Sequence, residues 1–319
     1  MPKNRLIVHH WDTDGICSAA LLYDRHTKNI TPKIGNYFLE EDEIKKIREE
    51  KFEEMYVVDM ALHERSLMAL ADISPVKVFD HHLTKKIDGV EYVNPVLEGK
   101  DEEDCPSTSW VVGNILNRKD SILSFLGAVG DWEERLKTTR FYKKLQDFME
   151  KTAITFEEMH TMVGLIDSNY KIGDKEEVER AVDNISKAGD VKAYVTNNEK
   201  WRKNRGTVNK EIEGALNSDG RKVDGILIKE MDCKYNIIST VARRLWDKKK
   251  YVIVINRGYF QNDCQLYIRG KDCLDLIKTA VKKGYVAGGK KNVMGAIVPG
   301  NECDKFVNEI VNILKRRKW

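Results

Sequence analysis

The stretch Arg5–Tyr23, RLIVHHWDTDGICSAALLY, decides how the chain is interpreted. Its first part is a short apolar run typical of a buried strand, and its last part has the composition of a helix. Between them stand two histidines and a pair of aspartates, Asp12 and Asp14, followed by Gly15, which allows a tight turn. This order predicts the start of a parallel α/β sheet with a ligand site where the strand ends.

Two further predicted strands end on the same kinds of residue. Met55–Val58 leads into Asp59, and Val76–Phe79 leads into the tripeptide Asp80–His82. A buried helix predicted over Ser121–Val129 leads to Gly130 and Asp131. Because the carboxyl ends of parallel strands meet at one edge of a sheet, these side chains are expected to lie together.

The candidate site is therefore a set of acids and histidines at the ends of predicted elements: His10, Asp12, Asp14, Asp59, Asp80, His81, His82 and Asp131. Two carboxylates 4 Å apart repel by about 4 kcal/mol at an effective dielectric constant near 20, so several in one cleft require protons or cations. Oxygen and imidazole ligands without thiolate favour manganese or magnesium. An isolated DxDG is also typical of a turn, but its combination with the other strand ends favours a two-metal, phosphoester-cleaving centre.

The composition fits a two-domain protein without a membrane span. The chain has 319 residues and a net charge of +3, and a new α/β pattern begins near Val223. Its six cysteines contain no CxxC pair, which argues against a zinc ribbon and a disulfide framework. No long apolar run and no secretory signal are seen, so a cytoplasmic location is expected. Two basic runs, 248–250 and 315–318, are interpreted as solvated faces.

Four motifs resemble those of the DHH phosphoesterase superfamily in its RecJ-like branch, including its small archaeal members. They are HxDxDG at His10–Gly15, VVD at Val57–Asp59, DHH at Asp80–His82 and GD at Gly130–Asp131. The later part of the chain resembles the DHHA1 domain through YIRG, which contains Arg269, and through a predicted glycine loop, AGGKKNVMGA at Ala287–Ala296. The first-domain motifs are the more specific.

The resemblance implies an α/β fold with two domains. A parallel-sheet DHH domain that binds metal and carries out catalysis would cover residues 1–200, and a helical connector would cover 201–222. A smaller α/β DHHA1 domain that binds substrate would cover 223–319, with the active site in the cleft between the two domains.

The resemblance also implies roles for the site residues. Asp59 would bridge two metal ions; His10 and Asp12 would complete one site, and the other would be completed by Asp14, His81 and Asp131. Asp80 would orient His81, and His82 would face the scissile phosphate as a donor or acid. His9 is the alternative to His10 as ligand, and Trp11 is either a core residue or a base-stacking one.

The substrate would be held by the second domain. The residues implied are Arg269, Gly288, Gly289 and Lys290; the family usually has a histidine at the position of Lys290. Ser107 is predicted to cap a helix that shapes the wall of the cleft.

The function expected is a manganese-dependent exonuclease on single-stranded DNA or RNA, with magnesium as the alternative ion and a weak preference for 3′→5′ cleavage. The alternatives are a nanoRNase, a cyclic-dinucleotide phosphodiesterase or a small-molecule phosphatase. A family II pyrophosphatase is disfavoured by the RG and GGK pattern, and an inactive scaffold by the filled ligand positions. A helicase or replication-protein partner in DNA repair or replication is left open alongside this activity, as is a homo-oligomer.

Overall fold

The computed structural model describes residues 3–246 and 250–317. The chain divides into a first unit, Met1–Arg205, and a second unit, Gly206–Trp319. Both basic runs, 248–250 and 315–318, fall partly outside the described residues. Within the described residues, no helix is both long and apolar enough to cross a membrane.

The first unit contains a five-stranded parallel sheet in the order β2-β1-β3-β4-β5. Its strands are β1 (Arg5–His9), β2 (Thr27–Ile30), β3 (Glu54–Val58), β4 (Val76–Phe79) and β5 (Glu91–Val93). The central strands β1, β3 and β4 are nearly continuous apolar runs, as expected for strands buried on both faces.

The register brings the ends of the three central strands side by side. Val58 at the end of β3 pairs with His9 at the end of β1 and with Phe79 at the end of β4. The residues that follow each strand, His10, Asp59 and Asp80, are therefore neighbours along one edge of the sheet.

Helices make up the rest of the first unit. They are α1 (Thr13–Leu22), α2 (Glu41–Glu50), α3 (Glu64–Ala71), α4 (Thr108–Ile115), α5 (Ile122–Trp132), α6 (Tyr142–Thr152), α7 (Phe156–Lys171), α8 (Lys175–Lys187) and α9 (Val191–Asn197), with short 3-10 helices at Pro95–Glu98 and Glu133–Thr138. Helix α10 (Glu199–Asn217) runs from the first unit into the second. The helix predicted to end before Gly130 continues through Trp132, so Asp131 lies in α5 rather than in a loop after it.

The second unit contains a six-stranded mixed sheet in the order β10-β11-β9-β8-β7-β6. Its strands are β6 (Arg221–Val223), β7 (Ile226–Met231), β8 (Val252–Asn256), β9 (Asp263–Arg269), β10 (Val286–Lys290) and β11 (Val293–Pro299). Its helices are α11 (Ile238–Leu245), α12 (Leu274–Lys282) and α13 (Cys303–Lys315). Strands β7 and β8 pair in parallel, and the other pairs are antiparallel.

Candidate metal centre

One group of ligand atoms forms where β1 and β3 end. Potential ligand atoms of His10, Asp12 and Asp59 all lie within 4.8 Å of one another. The His10 Nδ1 is 2.9 Å from Asp12 Oδ2 and 3.7 Å from Asp59 Oδ2. This nitrogen is buried, yet it has no hydrogen-bond partner among the described residues. It therefore faces two carboxylates without the geometry of a hydrogen bond.

A second group joins helices α1 and α5 to the end of β4. It contains Asp14, His81 and Asp131, whose potential ligand atoms also lie within 4.8 Å of one another. The His81 Nε2 is 3.1 Å from Asp131 Oδ2 and 4.0 Å from Asp14 Oδ2. This buried nitrogen, too, lacks a hydrogen-bond partner among the described residues.

Asp59 connects the two groups. Its Oδ1 is 3.8 Å from His81 Nε2, while its Oδ2 faces His10, and it forms a further group with His81 and His82. Two buried ring nitrogens that face carboxylates without hydrogen bonds are suited to bind cations. The nitrogen and oxygen donor set fits manganese or magnesium, and the shared aspartate could serve two ions.

The electrostatics of this cluster disfavour a full set of charges without a cation. Burial, followed by repulsion from Asp14 and Asp12, raises the pKa of Asp59 well above its usual value. Burial and the Asp131 charge raise the pKa of Asp14 to about 6. Bound cations would offset this repulsion and keep the carboxylates ionised.

The histidines already neutralise part of this charge. Burial works against the charged His81 ring, but the Asp131 carboxylate beside it prevails and raises its pKa to about 9. Burial likewise opposes ionisation of Asp12, but the neighbouring His10 lowers the pKa of Asp12 to about 2. Each half of the cluster thus pairs one histidine with one carboxylate.

The backbone at Asp59 has an uncommon conformation. Its φ of 57° lies in the left-handed region, which aspartate and asparagine tolerate better than most residues. Its N–H donates to the Phe79 carbonyl at 2.9 Å, and its side chain is 3% exposed. Such a conformation at a buried carboxylate is typical of functional sites.

Helix α4 supports two of the carboxylates. The Thr108 and Ser109 N–H groups donate to the two oxygens of Asp14 at 2.7 and 2.8 Å. The Thr108 hydroxyl donates to Asp59 Oδ1 at 2.9 Å. Ser107 caps this helix as predicted, since its Oγ accepts from the Trp110 N–H. The two contacts from Thr108 were not predicted, because 94 residues separate it from Asp14.

Two further features hold the first turn of α1, which contains Thr13 and Asp14. Asp167 on α7 accepts hydrogen bonds from the N–H and the hydroxyl of Thr13, at 3.0 and 2.7 Å. Gly127 on α5 leaves room for Asp14, because a Cβ at this glycine would lie 1.9 Å from Asp14 Oδ1. Neither Asp167 nor Gly127 can be identified from the sequence, since no local motif marks them.

Asp80 contacts a different ring from the one predicted. Its Oδ1 accepts from the backbone N–H of His81 at 2.8 Å, but the imidazole it contacts is that of His82, whose Nδ1 is 2.8 Å away. The assignment of Asp80 as the residue that orients the His81 ring is therefore wrong. The reason is geometric, since the His81 ring is directed with its Nε2 toward Asp131, 3.1 Å away, while the turn brings the His82 ring to Asp80.

The environments of His9 and Trp11 favour structural roles. The His9 ring lies 2.7 Å from the His10 carbonyl and 3.2 Å from the amide nitrogen of Asn29, so both ring nitrogens have protein partners. Its burial lowers its pKa to about 4. Trp11 is 5% exposed and belongs to the core, and its ring contacts those of His10 and Tyr37. Between the two histidines, the geometry favours His10 as the ligand.

In the second unit, Arg269 ends strand β9. It is 7% exposed, and its buried Nε has no hydrogen-bond partner among the described residues. The centre of its guanidinium group lies 5.6 Å from the Trp246 ring and 5.9 Å from the Tyr267 ring. These aromatic rings restrict the guanidinium group.

The predicted glycine loop is instead part of a β-hairpin. Gly288, Gly289 and Lys290 lie in the edge strand β10 and pair with β11, and all three are exposed. The prediction of a loop here is therefore wrong. A glycine pair usually indicates a turn, but here the pair lies within a strand at the edge of the sheet. Gly289 has φ of 148°, and a Cβ there would lie 2.2 Å from the Val293 carbonyl oxygen.

Comparisons with known proteins agree with this architecture. Residues 4–129 match the model of the DHH family, N-terminal domain, whereas a search of curated protein sequences gives no match. A solved DHH-domain structure, described as a member of the s1p family of ribosomal proteins, has a TM-score of 0.71 at 14% identity, covering 99% of this chain and 88% of that chain. Exonuclease RecJ bound to manganese has a TM-score of 0.64 at 15% identity, covering 99% and 91%.

A third solved structure is of similar length to this chain. It is the pGpG-specific phosphodiesterase PggH from Vibrio cholerae, with a TM-score of 0.51 at 12% identity, covering 98% of this chain and 99% of that chain. At these identities the likeness to solved structures concerns the fold, whereas the family model matches the part of the sequence that carries the first three motifs. Residues 4–129 therefore match the N-terminal domain of the DHH family, and the fold of the chain is similar to that of exonuclease RecJ.

Proposed function

We propose that the chain is a phosphodiesterase that acts as an exonuclease on single-stranded DNA or RNA and requires two manganese ions, with magnesium as the alternative. The observation that carries the proposal is Asp59, which lies between His10 and Asp12 on one side and His81 on the other. The family match and the fold shared with manganese-bound exonuclease RecJ support it.

In this proposal, each residue of the cluster has a distinct task. His10 and Asp12 would hold one ion, and Asp14, His81 and Asp131 the other, with Asp59 contributing to both. Two bound divalent cations supply Lewis acidity for phosphoester hydrolysis.

His82 is the residue we assign to the scissile phosphate. Asp80 Oδ1 lies 2.8 Å from His82 Nδ1 and would hold the proton at that nitrogen. The Nε2 of the ring could then donate a proton to a phosphate oxygen or to the leaving group when the ring is charged. The side chain of His82 is 31% exposed, so a substrate can reach it.

Arg269, Gly288, Gly289 and Lys290 would bind a neighbouring phosphate of the substrate. Arg269 is the best supported of the four, because its buried Nε lacks a hydrogen-bond partner among the described residues. A guanidinium group binds phosphate oxygens through paired hydrogen bonds. Lys290, where the family usually has a histidine, would act as a point charge.

A phosphodiesterase of very short oligonucleotides is the second candidate. It is favoured by the likeness to the pGpG-specific phosphodiesterase, which shares the fold over 99% of its own chain. A helicase or replication protein as partner, and cleavage from the 3′ end, remain parts of the first proposal.

A time course with end-labelled single strands tests the proposal. A 24-mer and a 3-mer, each as DNA and as RNA and labelled at either end, are incubated with manganese and with chelator, with Asp59→Asn as the control variant. Stepwise shortening of the 24-mer from one end supports the exonuclease and gives its polarity. Turnover of the 3-mer alone supports the second candidate, and no manganese-dependent cleavage of either rejects both.

A further inference from the structure

Thr108 contacts two different carboxylates of the metal centre, although no motif includes it. Its side chain is fully buried at the first position of α4. Its N–H donates to Asp14 Oδ2 at 2.7 Å, and its hydroxyl donates to Asp59 Oδ1 at 2.9 Å. One residue thus links the carboxylate of one ion site to the carboxylate that both sites share.

The hydroxyl contact determines how the Asp59 carboxylate is turned. With Oδ1 held by Thr108, Oδ2 is the oxygen that lies 3.7 Å from His10 Nδ1. Oδ1 itself lies 3.8 Å from His81 Nε2. Rotation of the carboxyl group would change both distances at once, so one hydrogen bond orients the ligand toward both halves of the cluster.

The position of the hydroxyl is itself fixed by α4. Ser107 caps the helix by accepting from the Trp110 N–H at 3.1 Å, and the Ser109 N–H holds the other oxygen of Asp14 at 2.8 Å. A carboxylate at a helix N-terminus is favoured by the helix dipole and the free N–H groups. The contact with Asp14 therefore anchors the start of the helix from which Thr108 reaches Asp59.

We infer that Thr108 is a positioning residue that orients Asp59 for both metal ions and couples this orientation to Asp14. The inference rests on the proposed metal centre. Loss of a hydrogen-bond partner of a metal ligand typically weakens metal binding by about 10–100-fold. We expect a loss of about 10-fold or more when the hydroxyl alone is removed.

The test is manganese binding by isothermal titration calorimetry, without substrate, on the full chain. Thr108→Val removes the hydroxyl and keeps the branched shape, whereas Thr108→Ser keeps the hydroxyl. Thr27→Val is the matched control, because Thr27 is also a buried threonine whose hydroxyl donates to an aspartate, Asp24, outside the cluster. We expect Thr108→Val to bind manganese about 10-fold more weakly, and the other two variants to bind like the wild type.

The outcomes separate this inference from the proposed function. Absence of manganese and magnesium binding by the wild type would reject the metal centre itself. Wild-type affinity in Thr108→Val, or equal weakening in Thr108→Val and Thr108→Ser, would reject the role of the hydroxyl. If circular dichroism shows that Thr108→Val does not fold, the comparison of Thr108→Ala with Thr108→Ser decides in the same way.

Discussion

Replacing Asp59 by asparagine should stabilise the metal-free first unit and abolish its stabilisation by metal. Asparagine preserves the shape of the side chain, can still accept the hydrogen bond from Thr108, and tolerates the left-handed backbone at this position. The change therefore removes mainly a charge. Because burial and the charges of Asp14 and Asp12 raise the pKa of Asp59, its ionised form costs folding free energy in the absence of cations.

The magnitude follows from the distances in the cluster. Ligand oxygens of Asp59 and Asp12 lie within 4.8 Å of each other. At that distance two unit charges repel by about 3.5 kcal/mol at an effective dielectric constant near 20. Since the nearby histidines offset part of this repulsion, we expect a gain of about 2 kcal/mol in the free energy of unfolding. For a domain of this size that corresponds to a rise of roughly 4–8 °C in Tm.

Thermal unfolding with chelator and with manganese measures both effects. The wild type should gain about 2.7 kcal/mol from each ion at 100 times its Kd, and Asp59→Asn should gain little. Asp24→Asn is the control. Burial raises the pKa of Asp24, but hydrogen bonds from the His26 N–H and the Thr27 hydroxyl outweigh burial and keep that pKa below its usual value. Because the ionised form of Asp24 is thus favoured in the folded state, this variant should be less stable than the wild type. Two results would refute the reasoning. One is a metal-free Asp59→Asn that is less stable than the metal-free wild type, and the other is an Asp59→Asn that manganese stabilises as much as it stabilises the wild type.

Other changes probe separate parts of the account. Asp80→Asn should lower kcat about 10–100-fold while changing manganese affinity little, because Asp80 contacts the His82 ring; steady-state kinetics and calorimetry measure the two effects. Gly127→Ala should abolish metal binding, because its Cβ would displace Asp14. Arg269→Ala should raise KM with little change in kcat, since its guanidinium group, whose Nε has no hydrogen-bond partner among the described residues, is assigned to substrate phosphate rather than to the reacting atoms.

Each of these changes has its own contradicting result. Wild-type kcat in Asp80→Asn would remove His82 from the reaction. For Gly127→Ala, the control is Gly130→Ala on the same helix, whose added Cβ would meet no atom closer than 3.5 Å; equal losses in both would indicate a general effect on α5. For Arg269→Ala, an unchanged KM would contradict a role in substrate binding.

The central strands and the candidate ligands could be predicted because both depend on local pattern. β1, β3 and β4 are nearly continuous apolar runs, and β4 has the predicted bounds, Val76–Phe79. The edge strands β2 and β5 were missed because TKNI is largely polar and EYV has only three residues, so an apolar-run criterion does not detect them. These segments are strands because they pair with a neighbouring strand, and the sequence does not show that pairing.

The supporting contacts of the cluster could not be predicted because they join distant segments. The Thr108 hydroxyl and Asp59 are 49 residues apart, and Thr13 and Asp167 are 154 apart. No spacing rule relates such residues before the fold is known. The ligands themselves are predictable because each lies at or near one end of a strand or helix.

The central claim is that the cluster binds two metal ions that share Asp59. Titration of the full-length wild type with manganese, followed by electron paramagnetic resonance, tests it most directly. The account predicts two ions per chain and, at saturation, a spectrum of two magnetically coupled ions, because a shared carboxylate would hold them about 3.5–4 Å apart. One ion per chain, or two without coupling, would contradict it.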